Sequence, residues 1–184
     1  MSRAMVVLAE GFEEIEALTA VDVLRRGGVD VVTASLDGSD CVAGAHGISV
    51  RADSSFARAS DGDFDAVVLP GGGKGTENLR HSEAVAARLR RQREEGKLLC
   101  AICAAPTVLV EAGVLDPEQH ITCYPTCVMD IDRPSANVPV VADGNVITGQ
   151  GPGASLLFAL VVLKALAGEK AAEKVARAMV TDVL

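Results

Sequence analysis

The chain has no tryptophan, one tyrosine and only three histidines among 184 residues. With aromatics at 3% it offers few platforms on which nucleic-acid bases could stack. Positive charge is in deficit too: 17 Lys and Arg against 25 Asp and Glu give a formal net charge of −8. A phosphate backbone is held by basic patches, so nucleic acid is excluded as a partner. Long hydrophobic runs are missing. The longest, residues 154–163, is followed by Lys164 and falls short of the roughly 20 residues that span a bilayer. The start, MSRAMVVLAEGFEE, turns acidic after a short apolar run, unlike a secretory signal. These absences predict a soluble, cytoplasmic protein with no membrane contact. Five cysteines, an odd number, fit a reducing compartment better than a disulfide scaffold. No linker or repeat divides residues 1–184, which read as a single domain.

What is present is an alternation of short apolar runs with helical patterns. Residues 4–9, 29–35, 66–69 and 98–102 read as buried strands. Helices are predicted over residues 12–26, 83–95, 107–112, 154–166 and 170–180. A small antiparallel excursion is predicted from residues 41–44 and 48–51 around Ala45-His46-Gly47. A hairpin is predicted from residues 138–142 and 146–148, and residues 121–123 read as a short strand. Buried strands alternating with helices make an α/β fold, a mainly parallel sheet covered on both faces. Ligands bind such sheets beyond the carboxyl ends of the strands. Three strand ends then share one crevice: the turn at residues 9–11, the Pro70-Gly71-Gly72-Gly73 turn, and the end of residues 98–102.

Cys103 stands at the last of these. It follows a buried strand and precedes Ala104-Ala105-Pro106, and proline suits a first helical turn, whose N–H is unpaired anyway. A reactive side chain between a strand and a helix is the geometry of a nucleophile elbow. The helix N-terminus favours thiolate over thiol. Glu16 lies on a helical row with Phe12, Ala20 and Val23, apolar apart from the glutamate. A carboxyl so placed needs a partner or stays protonated, and is suited to give and retrieve a proton. Glu14 shares its row with Leu18, Asp22 and Arg25 and reads as solvent-facing, while Glu13 is flanked by Ala17 and Leu24. The glycines at 71–73 present backbone N–H groups with no side chain in the way, as an oxyanion pocket requires.

Other patterns are weaker. GGGKGT is neither a Walker loop nor a dinucleotide fingerprint, because Lys74 is followed by glycine. Cys100 and Cys103 form a CxxC, and with Cys123 and Cys127 they imitate a zinc site, but Cys100 should lie inside a strand. No metal is expected. No sequence feature ties His46, His81 or His120 to Cys103, so a Cys–His protease dyad is not supported.

Four segments, AEGFEEIE, VVLPGGGKGTENL, CAICAAP and GQGPGAS, resemble in order and spacing the ThiJ/PfpI superfamily. Within it they are most similar to the Parkinson-disease-protein (DJ-one) branch and its bacterial YajL-like relatives. The resemblance covers essentially the whole chain. It implies a flavodoxin-like three-layer sandwich, a homodimer, and no metal or organic cofactor. It also implies that Cys103 is the reactive, oxidation-sensitive cysteine, that Glu16 is its protonated partner, and that Gly71, Gly72 and Ala104 supply backbone N–H groups. Tyr124, Cys123, Gly151 and Pro152 are candidates for the pocket lining.

Two departures narrow the chemistry. Peptidase and amidotransferase branches carry His directly after the cysteine, where this chain has Ala104. The animal branch has a pocket His where this chain has Tyr124, so a base role there passes to Glu16 or water. The residues and the resemblance together point to a glyoxalase- or deglycase-like enzyme acting on a 2-oxoaldehyde, or on its early adducts with protein side chains. Cys103 would be its nucleophile and Glu16 its proton shuttle. The alternative is a redox-sensing or oxidative-stress chaperone protein, in which Cys103 is oxidised to sulfinate and binding changes.

Overall fold

The computed structural model describes residues 1–131, 133 and 135–182. Its centre is a seven-stranded sheet built from β1 (Arg3–Leu8), β2 (Asp30–Ser35), β5 (Ser54–Ser55), β6 (Ala66–Leu69), β7 (Leu98–Ile102), β8 (Val140–Asp143) and β9 (Val146–Gly149). The strand order is β5-β2-β1-β6-β7-β9-β8. Every pairing in it is parallel except β8 with β9, the predicted hairpin. A separate two-stranded antiparallel ribbon joins β3 (Cys41–Ala43) and β4 (Ser49–Arg51).

Alternate residues of the central strands feed two cores. Ala4, Val6, Leu8, Val68, Cys100 and Ile102 face α1 (Glu14–Arg26), α6 (Ser155–Ala167) and α7 (Glu169–Ala178). Met5, Val7, Val67, Leu69, Leu99 and Ala101 face α2 (Phe56–Ala59), α3 (Gly73–Arg80), α4 (Glu83–Glu94) and α5 (Pro106–Glu111). Burial on both faces is why these strands are continuous apolar runs rather than alternating ones. The result is the expected three-layer α/β sandwich.

From β1 the chain moves outward to β2, then returns to place β6 on the other side of β1. That reversal opens a crevice beyond the carboxyl ends of β1 and β6, with β7 next to it. Three expectations need correction. Helix α3 is not among the expected helices and starts on the last glycine of the expected turn: Gly73 and Gly75 carry low intrinsic helix propensity, and packing overrides it. The predicted strand at 121–123 is a single bridge from Ile121 to Ser135, and Pro125–Asp130 follow as a 3₁₀ turn. Helix α1 begins two residues later than expected, because Glu13 caps it, accepting the Glu16 N–H at 2.8 Å.

Candidate active site

The crevice brings together Cys103, Glu16, Gly71, Gly72 and Ala104. Cys103 has φ of 65°, a left-handed conformation that costs a non-glycine residue about 1–2 kcal/mol. Hydrogen bonds on both sides hold it there. Its N–H donates to Gly149 O at 2.9 Å, and its carbonyl accepts from the Tyr124 N–H at 2.8 Å. The turn then closes tightly, with Ala105 N–H donating to Ile102 O and Thr107 N–H to Ala104 O, each at 3.1 Å. A strained residue fixed by its surroundings at a strand-to-helix turn is what an elbow requires.

Glu16 is 1% exposed and reaches this turn from the first turns of α1. Its Oε2 accepts the Gly71 N–H at 2.7 Å. Its carboxyl interacts with the Cys103 side chain, and Oε1 makes no hydrogen bond of good geometry among the described residues. Burial pushes the Glu16 carboxyl up to about 7. The Gly71 and Cys103 contacts oppose that rise, and the Glu13 charge adds to it.

Two positions of the glycine turn, Gly71 and Gly72, must be glycine. A Cβ on Gly71 would lie 2.7 Å from Cys103 Cβ and 2.9 Å from Glu16 Oε2. Gly72 has φ of 91°, and a Cβ there would lie 2.3 Å from Gly11 O. Glu13 N–H donates to Gly71 O at 3.0 Å, locking the start of α1 onto the same turn. The Gly71 N–H is therefore directed to Glu16 rather than to the sulfur. The N–H groups of Gly72 and Ala104 are the ones that act on Cys103.

The thiol departs from expectation. Burial first, then the charge and hydrogen bond of Glu16, push it up to about 12, against the pull of the Gly72 and Ala104 N–H groups. Helix α5 is six residues long and starts three residues beyond Cys103, so its dipole does not outweigh burial. When Glu16 carries a proton its charge is gone, and its hydrogen bond, now donated to the sulfur, favours the thiolate. Ionisation of Cys103 is thus tied to protonation of Glu16, and one proton serves the pair.

Tyr124, Gly151 and Pro152 line an adjoining hollow of about 460 Å³, together with Asn137 and Gln150. The Tyr124 ring closes over Gly151, whose Cβ would lie 3.3 Å from Cδ2. Cys123 does not join them. It is 1% exposed, packs into the opposite core from Cys103, and its Sγ lies 3.7 Å from Ser135 Oγ. Cys100 is fully buried on the Cys103 side of the sheet, so the four cysteines do not converge.

Glu14, expected to face solvent, is 4% exposed. Its Oε1 accepts the His46 N–H at 2.7 Å and its Oε2 lies 2.8 Å from His46 Nδ1. The helical wheel missed this because the ribbon β3–β4 covers that side of α1, a tertiary contact that no periodicity records. The partner signal, a buried acid opposite a turn histidine, spans 32 residues.

No helix among the described residues is long and apolar enough to cross a membrane. The chain is similar to protein dj-1beta of Drosophila melanogaster, at 40% identity over 96% of this chain and 95% of that one. The crystal structure of that fly protein superposes with a TM-score of 0.95, covering 99% of this chain and all of the other at 39% identity. An oxidized Toxoplasma gondii DJ-1 structure matches with a TM-score of 0.93 at 32% identity, over 98% of this chain and 99% of that one. A Thermococcus kodakarensis protein named deglycase TK1284 is 32% identical over 82% of this chain and 91% of its own length. The model of the DJ-1/PfpI family matches residues 2–165, and the chain belongs to that family.

Proposed function

We propose that the protein is a cysteine-dependent enzyme acting on 2-oxoaldehydes or their early protein adducts, in the manner of a glyoxalase or deglycase. The observation that carries this is the buried Glu16 carboxyl, poised at about 7, set against Cys103 on a strained elbow. In the first step Glu16 holds the proton while the Cys103 thiolate adds to the aldehyde carbon, giving a hemithioacetal. The Gly72 and Ala104 N–H groups offset the developing negative charge. Glu16 then carries a proton between the adjacent carbons, so the aldehyde carbon is oxidised to a thioester as the ketone carbon is reduced to an alcohol. Water releases a 2-hydroxy acid and restores the thiol. The balance is one aldehyde plus one water, with no outside oxidant. The name of the Thermococcus relative supports this reading.

The test is turnover of methylglyoxal to lactate without glutathione. Wild type should turn over, and Cys103→Ser and Glu16→Gln should each abolish it. Full turnover by Cys103→Ser would remove Cys103 as nucleophile.

A second reading is favoured by the oxidized state named for the Toxoplasma relative and by Glu16 Oε1, which makes no hydrogen bond of good geometry among the described residues. Cys103 is oxidised to sulfinate by peroxide, Glu16 donates to the new oxygen, and binding to other proteins changes. Mild peroxide should then oxidise Cys103 ahead of the exposed Cys41. We further propose a cytoplasmic homodimer. Ile15, Leu18 and Ile48 are exposed apolar side chains at the start of α1 and on the β3–β4 turn, a surface that a second copy would cover.

A further inference from the structure

The β3–β4 ribbon is tied to the segment that carries Glu16. Gly11 N–H donates to Ala43 O at 2.8 Å, and Ala45 N–H donates to Phe12 O at 2.9 Å. Between these bonds Gly44 lies flat against Glu14: a Cβ there would sit 2.4 Å from Oε1. His46 completes the grip, its N–H on Oε1 and its ring on Oε2, while Ile48 N–H reaches Oε1 at 3.4 Å. One residue earlier, Glu13 Oε1 lies 3.9 Å from His46 Nδ1, and Glu13 Oε2 accepts the Glu16 N–H. The relay to the Glu16 backbone therefore runs from the His46 imidazole through Glu13, while Glu14 anchors the ribbon tip to the same first turn of α1.

We propose that the ribbon tip is a positioning element for Glu16, and that the protonation state of His46 sets how firmly it holds. His46 is a positioning residue here, since it touches neither Cys103 nor the crevice. The titratable groups facing its ring are Glu14 first and Glu13 second, both on the α1 side. Glu14 is fixed as a carboxylate, its pKa lowered to about 2: burial works against this, and the His46 ring and the His46 and Ile48 N–H groups overcome it. His46 is therefore the member of the clasp that changes charge near neutrality. Its pKa is raised by Glu14, so the charged grip is complete below the ordinary histidine value and is lost as pH rises through the raised one. The proposal rests on the Cys103–Glu16 pairing and needs no particular substrate.

The experiment reads Cys103 itself. Its alkylation by iodoacetamide is followed by mass spectrometry of the Cys103 peptide from about pH 5.5 to 9, in wild type, His46→Arg and His46→Gln. The arginine keeps the charge throughout and the glutamine never carries it. The two variants are expected to differ by about two- to fivefold, the scale of an ion pair with one partner at the surface. Wild type should cross from the arginine curve to the glutamine curve as His46 titrates, a step located independently from its imidazole proton resonances. In a Glu16→Gln background the three curves should coincide. Superimposed curves in the native background, or a His46 effect that survives Glu16→Gln, would overturn the proposal. Because no aldehyde is used, failure of methylglyoxal turnover leaves this result standing, and the reverse holds equally.

Discussion

Gly71 donates its N–H to Glu16 Oε2 at 2.7 Å while its Cα faces Cys103 Cβ, so one glycine spaces the acid from the thiol. The relationship fixes both which atom binds Glu16 and how close the sulfur can come.

Gly71→Ala should therefore damage the site more than its size suggests. The new methyl meets Cys103 Cβ, Glu16 Oε2 and Ile102 O all within 2.9 Å; the first and last lie on or beside the backbone, and the Glu16 oxygen is held by the Gly71 N–H. Overpacking of this kind costs about 1–3 kcal/mol. Forcing the pair apart also removes the Glu16 charge and hydrogen bond that push the thiol up, so Cys103 alkylation near neutral pH should quicken while stability falls. Gly73→Ala is the control, since nothing lies within 4 Å of its added Cβ. Equal effects in the two variants, read by alkylation rate and urea unfolding, would contradict the spacing argument.

Stability should carry the signature of Glu16. Its folded-state pKa of about 7 lies above the ordinary 4.5. The protonated carboxyl fits the fold, so its full contribution is present below 4.5 and is lost as pH rises through about 7. The loss amounts to about 3 kcal/mol. Glu16→Gln stays neutral throughout. The stability difference between glutamine variant and wild type should thus shift by about 3 kcal/mol toward the variant between pH 4 and 8, measured by denaturant unfolding at each pH. A constant difference would place the titration elsewhere.

Much of this is legible in the sequence. The strand ending at Ile102, the elbow at Cys103 and the apolar row holding Glu16 follow from local pattern, because burial and turn chemistry are written in neighbouring residues. Glu14 and His46 were not legible. Their meeting depends on how a two-stranded ribbon folds back over α1, and the helical wheel registers only the helix's own faces. The raised thiol is hidden for a related reason: a helix start is visible in sequence, whereas the depth of burial that opposes it is not. Cys123, a candidate for the pocket lining, lies outside it. Successive residues there point to opposite sides, Tyr124 to the hollow and Cys123 to the core.

The hollow beside the elbow should affect large substrates and spare small ones. Tyr124 holds Cys103 only through its backbone N–H, a bond that Tyr124→Ala retains. The variant should keep its kcat/KM for methylglyoxal within about twofold, and lose about three- to tenfold toward an adduct carried on a peptide, the range for removing one aromatic contact. An equal loss on both substrates would make the ring part of the reacting site rather than its wall.

The elbow should store measurable strain. At φ of 65°, Cys103 pays the left-handed penalty that glycine avoids. Cys103→Ala and Cys103→Gly both remove the sulfur and differ by one methyl group. Ordinarily alanine is the more stable of such a pair, because glycine loses more entropy on folding. Here the backbone term runs the other way, and Cys103→Gly should exceed Cys103→Ala by about 1 kcal/mol in urea unfolding. An alanine variant more stable than the glycine one would mean that the left-handed turn is relaxed, and that its conformation does nothing to hold the sulfur up to the Gly72 and Ala104 N–H groups.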